Sequence, residues 1–143
     1  MCLITTKNIP EIAQKDIVCY KFYVLHKVKD DINLPSYDKD GYLSPYQGML
    51  APKINEVVNT VLDRVYLCKC GGNNSTYMIN RGFHSFKYID DLTKELYFWQ
   101  SSDIKIFKCI IPKGNKYYEG KFDDFPSYCS ESIILKEIIN VKW

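Results

Sequence analysis

No apolar run in this chain approaches the roughly 20 residues that a membrane-crossing helix requires, and no membrane partner is expected. Charge of one sign is also lacking. Lys+Arg 19 against Asp+Glu 17 leaves a net charge of +2, with the signs interspersed, so a phosphate backbone is attracted only weakly and nucleic acid is not an expected partner. Only two histidines occur, His26 and His84, which leaves few candidates for acid-base chemistry at neutral pH. Gly71, Gly72 and Gly82 do not have the spacing or the Gly-Lys-Ser/Thr ending of a phosphate-cradling loop, so no nucleotide cofactor is expected. Met1 to Pro10 lack a basic segment followed by a continuous apolar stretch. They do not read as a signal peptide, and the cytoplasm is the expected compartment.

Six cysteines are present, at Cys2, Cys19, Cys68, Cys70, Cys109 and Cys129. Several fall inside expected strands, where cysteine acts as a small buried hydrophobe, and reduced thiols are expected in a cytoplasmic protein. Cys68 and Cys70 could offer two thiolates to zinc, but a structural site needs four ligands and no second closely spaced Cys/His pair exists, so no metal is expected.

Twelve tyrosines lift the aromatic share to 15%, and 46% of residues are hydrophobic, more than a disordered chain carries. A chain of 143 residues can bury one sizeable core without staples. The expectation is a single α+β domain, with a core over 15–143 and a long loop over 29–48. Its sheet is expected to be mixed or antiparallel, with about four to six strands and one or two helices.

Asp16 to Leu25 is a β-branched and aromatic run that reads as a central strand. Lys29 to Gly48 is dense in turn formers and reads as loop. In Lys53 to Leu67 the residues Ile54, Val57, Val58, Val61, Leu62 and Val65 fall on one helical stripe, which favours a helix, while the valine content keeps a strand open. Cys70 to Ser75 reads as a flexible loop, and a turn must fall near Gly82. Ile89, Leu92, Leu96 and Trp99 predict a helix with Asp90 and Asp91 in its first turn. Ile104 to Ile111 predicts a strand ended by a Pro112-Lys113-Gly114-Asn115 turn, followed by a short strand over Lys116 to Glu119. Phe122 to Ser130 reads as loop and Glu131 to Ile139 as the last strand.

The candidate site residues converge on the Gly82-Phe83-His84-Ser85 turn. His84 stands between an aromatic residue and Ser85, which is placed to cap the following helix. It is read either as a group pointed into a cleft or as a lock on the turn. Glu131 precedes an apolar run and could lie at a strand mouth, where functional residues collect. Tyrosines among lysines in Lys113 to Lys121 could stack bases, but the near-neutral charge favours a protein-facing surface.

The blocks Asp16 to Lys21, Ser44 to Gly48, Gly82 to Ser85, Cys109 to Gly114 with Tyr117 to Gly120, and Ser127 to Leu135 resemble a family of short uncharacterised proteins of gut bacteria and their phages. The resemblance spans most of the chain and implies a phage or mobile-element accessory protein in the bacterial cytoplasm, without naming an activity. It also implies an extended segment after the Ser-Pro block, at odds with a helix over 53–67. A weaker similarity, carried by Tyr20-Lys21, Phe83-His84-Ser85 and Glu131 in that order, is to ADP-ribosyltransferase-like domains. It implies a ligand site at Tyr20, Lys21 and His84, with Ser85 supporting the nicotinamide-ribose pocket and Glu131 stabilising charge at the anomeric carbon. Two departures stand against it: lysine replaces the usual arginine, and the second acidic residue of the glutamate turn is missing. The expected function is a non-enzymatic binding protein for a host protein or small molecule, with an NAD-related enzyme or binder as the alternative.

Overall fold

The computed structural model describes residues 3–26, 41–44, 50–69, 75–97 and 103–140. Most of the 29–48 loop, the 70–74 loop, Trp99, Cys2 and Cys70 lie outside the described residues, as do the side chains of His26 and Cys68. The strands in chain order are β1 (Leu3–Thr5), β2 (Glu11–Ile12), β3 (Ile17–His26), β4 (Gly41–Leu43), β5 (Val57–Asn59), β6 (Asp63–Lys69), β7 (Ser75–Arg81), β8 (Phe83–Phe86), β9 (Ile104–Ile111), β10 (Lys116–Phe122), β11 (Phe125–Ser130) and β12 (Ser132–Ile139). One helix, α1 (Ile89–Leu96), interrupts them. The expected α+β domain with a sheet of four to six strands is thereby corrected: the described residues are mostly β, and they form one large curled sheet of twelve strands with one short helix.

Two bent strands curl the sheet. β7 and β8 run on through Gly82, and β11 and β12 run on through Glu131. β8 pairs with β11, β11 with β10, β10 with β1 and β1 with β7, so the hydrogen-bonded path returns to the strand it left. The path from β11 through β8, β3 and β9 to β12 closes in the same way. Gly82 makes the first bend possible. Its φ of 144° is one that residues with a side chain rarely adopt, and a Cβ there would strike Cys129 Sγ and come within 2.7 Å of Leu62 Cδ2.

Because strand residues alternate in direction, the shared β8–β11 ribbon has a core on each side. One contains Cys19, Tyr23, Phe83, Phe107, Cys109, Tyr128, Ile133 and Leu135. The other contains Leu3, Ile79, Tyr118 and Cys129. A third cluster lies under α1, where Leu92 and Leu96 pack on Phe22, Phe86 and Ile106. β3 feeds two of these clusters from opposite faces, which explains why Lys21 is the one charged residue between Ile17 and Leu25.

The helix expected over 53–67 is absent. A turn at Ile54 and Asn55 leads into β5, and β6 follows. Asn55 has a φ of 64°, in the left-handed region, which no right-handed helix accommodates. The stripe does not form a buried face either: Ile54, Val57, Val61 and Val65 are 43%, 56%, 57% and 42% exposed, while Val58 and Leu62 pack inward. The loop expected over 122–130 is also corrected. Asp123, with a φ of 50°, makes a tight two-residue turn that pairs Phe122 with Phe125, and Phe-Pro-Ser begins β11. Pro126 forfeits one ladder donor near the start of β11, and its carbonyl accepts from the Lys87 N–H at 3.1 Å.

β3, α1, β9 and β12 fall where the apolar runs place them. The Pro112 to Asn115 turn is of type II: the Asn115 N–H donates to Pro112 O at 3.2 Å and Gly114 has a φ of 88°. The expected loop over 29–48 contains β4, which pairs with β3.

Candidate functional site

His84 and Ser85 are consecutive residues of β8 and therefore face opposite cores. His84 is 3% exposed and lies beside Cys129, its cross-strand partner. Its Nε2 is 3.1 Å from the Ile79 carbonyl oxygen. A carbonyl only accepts, so Nε2 carries the proton and donates. Nδ1 lies 3.8 Å from Cys129 Sγ. Burial, with Lys21 nearby, pushes the imidazole pKa down to about 4. The ring is neutral at physiological pH.

Ser85 is fully buried on the other side. Its hydroxyl has no nitrogen or oxygen partner among the described residues and lies against the Cys19 thiol. It does not cap α1: the N-cap is Tyr88, which makes no side-chain capping bond. Cys19 stands directly opposite Cys109 in the β3–β9 ladder, and both thiols are buried and free. The Cys109 thiol donates to the Phe107 carbonyl oxygen at 3.5 Å, and the interaction between the two thiols lowers the Cys19 pKa and raises that of Cys109.

Lys21 lies on the Cys19 face of β3, 5% exposed, with Nζ 2.9 Å from the His84 carbonyl oxygen. Burial holds its amine below the usual lysine range. Tyr20 points to the opposite face and packs against the cluster under α1. Glu131 sits at the bend between β11 and β12, where its carboxylate accepts from the exposed Lys116 N–H at 2.9 Å. The structure thus brings Lys21 to the His84 backbone, and it places Tyr20, Ser85, the His84 ring and Glu131 in separate surroundings. The His84 reading that fits is the lock on the turn.

The tyrosine-rich stretch is also not an open stacking surface. Tyr118 is 4% exposed in the core, and the Tyr117 hydroxyl donates to Glu11 Oε2 at 3.0 Å. Among the described residues no group of three His, Cys, Asp or Glu side chains is placed to hold a metal, and no helix is long and apolar enough to cross a membrane.

A different set of residues comes together on the outer face of the wall formed by β3, β9, β12 and β5. Val18 is opposite Ile110, Ile110 opposite Ile134, and Ile134 opposite Val57. Directly opposed residues share a face, so these four make one aliphatic row across four strands. Val18 is 44% and Val57 56% exposed at its ends. Further along the same face, Lys108 and Glu137 are opposite one another, with Nζ 3.8 Å from Oε1. Beyond them, Phe22, Ile106 and Ile139 are covered by α1. One sheet face therefore runs from a helix-covered apolar row, through a charged row, to an open aliphatic row. Sequence reasoning missed it because its members come from four distant segments, and only the register aligns them.

No protein-family model, no curated protein and no solved structure matches the chain.

Proposed function

We propose that this is a non-enzymatic binding protein, of the accessory kind that its resemblance to phage-associated proteins implies, and that its partner-facing surface is the open end of the β3–β9–β12–β5 face. The observation that carries this reading is the row Val18, Ile110, Ile134 and Val57, apolar, in register and not covered by the helix that covers the rest of the same face. A contiguous exposed apolar patch bordered by charge is the usual mark of a macromolecular contact. The dispersal of His84, Ser85 and Glu131 among separate surroundings supports binding over reaction chemistry.

The test is carbene footprinting of the dilute purified protein, alone and in cell extract. Labelling of Val18 and Val57 should fall in the extract, while labelling of the exposed Ile9 and Ile12, away from this face, stays constant. Equal labelling of the row in both conditions would sink the reading.

A further inference from the structure

We infer that Cys19 and Cys109 are a reversible redox pair, joined by a peroxide into a disulfide across β3 and β9 and separated again by a thiol reductant. The inference is independent of the proposed binding face, which lies on the outer side of the same strands. The two cysteines are direct partners in a ladder that runs without a break from Ile17 to Val24, and both are fully buried in one core. Cys129 belongs to a different core.

The Leu25 N–H donates to Asp103 O at 2.8 Å, and these residues continue the same register. By the alternation of an antiparallel ladder, Cys19 and Cys109 are then also a hydrogen-bonded pair, with Cα atoms about 5.5 Å apart. That separation suits a disulfide, but side chains at such a position stand further apart than the bond prefers. Closing it pulls the strands together, and a bond formed under that tension is a labile one. On its other side β3 pairs with β8 only at Tyr20 and Phe86, and beyond that position the Lys21 amine bridges the gap to His84 O. This thinly held seam lies next to Cys19, so its local opening is the route by which a small oxidant enters.

Interaction with Cys109 first, and then Ser85 and Lys21, favour the Cys19 thiolate against the cost of burial. Its sulfur attacks one oxygen of hydrogen peroxide: the S–O bond forms, the O–O bond breaks, and the departing hydroxide takes up the Cys19 proton as water. The Ser85 hydroxyl is buried beside Cys19 with no nitrogen or oxygen partner among the described residues. It is free to donate to the new sulfenic oxygen. The Cys109 sulfur then attacks the Cys19 sulfur. The S–S bond forms, the S–O bond breaks, and the second hydroxide leaves as water with the Cys109 proton. Two thiols have passed two electrons to one peroxide. Two molecules of glutathione reverse the change by thiol exchange and leave as their own disulfide.

The test treats the reduced full chain with hydrogen peroxide in native buffer, caps the remaining thiols with an alkylating agent in denaturant, and maps the digest by mass spectrometry. The Cys19 and Cys109 peptides should appear mostly as one linked pair, lighter by two hydrogens than the sum of the two thiol peptides. An excess of reduced glutathione, added to the folded protein before capping, should return both to the alkylated form. In Cys109→Ala the sulfenic acid has no partner, so dimedone should trap at least about fivefold more of it on Cys19 than in the wild type. Circular dichroism checks that this variant is folded.

A wild type whose Cys19 and Cys109 remain alkylated after peroxide overturns the inference, as does a link that forms only in denaturant or that joins either residue to a different cysteine. A link that withstands glutathione in the folded protein is a permanent staple, and it overturns the reversible pair.

Discussion

Lys21 Nζ donates to the carbonyl oxygen of His84 across 2.9 Å in the protein interior. The two residues belong to neighbouring strands that pair only at Tyr20 and Phe86. The Lys87 N–H bonds Pro126 O, so by the alternation of an antiparallel ladder the polar groups of Ser85 point to β11 and those of His84 point to β3. Where β3 and β8 diverge, the lysine amine takes the place of the missing ladder donor. The residue that suggested a ligand site is a cross-brace at a seam of the sheet.

The brace has a pH signature. Burial lowers the Lys21 pKa, so in the range below the unfolded value of about 10.4 the unfolded chain binds more protons at this site, and stability rises with pH. Lys21→Met removes this site. Urea unfolding of both proteins at pH 7 and pH 10 should show the wild type gaining on the variant as pH increases. A constant difference would mean that the amine is not buried as described.

His84 gives the acid limb. Its folded pKa of about 4 lies below the unfolded value, so its contribution is fully present above about pH 6.5 and is lost as pH falls through 4. The loss should reach on the order of 3 kcal/mol. A His84→Gln variant should lack this part of the acid sensitivity, read from denaturant midpoints at pH 7, 5.5 and 4.5. Parallel pH profiles in the two proteins would contradict the assignment.

Gly82→Ala should destabilise the protein by about 3 kcal/mol or more, since it combines a positive-φ strain with overpacking. A Cβ there strikes Cys129 Sγ and crowds Leu62. Adding Cys129→Ala should recover part of the loss, because it removes one clash and leaves the backbone strain. Thermal unfolding of the single and double variants decides whether the bend depends on this glycine.

Glu131→Gln keeps an oxygen able to accept from the Lys116 N–H, so its stability cost should stay under about 1 kcal/mol. NAD should leave the melting temperature of both proteins unchanged. A rise in the wild type that Glu131→Gln abolishes would reinstate the ribosyltransferase-like reading.

Elements whose residues look the same from inside and outside were legible in the sequence. β3 and β9 are runs of β-branched and aromatic residues, and α1 carries Ile89, Leu92 and Leu96 on one stripe. The 53–67 segment misled because a spacing of three and four also arises when two short strands and a turn each contribute valines. The Phe122 to Ser130 segment misled because Asp-Asp and Pro are turn formers that here serve one tight turn and one strand start. His84 was legible as an unusual residue type and Lys21 only through the resemblance to ADP-ribosyltransferase-like domains, and the contact between them spans 63 positions.

The sequence by itself determined that the chain folds, that β3, β9 and β12 are core strands, that a helix carries Ile89, Leu92 and Leu96, and that the backbone changes direction near Gly82. Those are local properties, set by side-chain branching, periodicity and backbone freedom. Only the tertiary structure decided that His84 and Ser85 face different cores and that Val18, Ile110, Ile134 and Val57 form one open row. Alternation along a strand says that two faces exist. Which residue of a distant strand lies opposite, and what covers the face they share, follows from pairing register and from where α1 comes to rest.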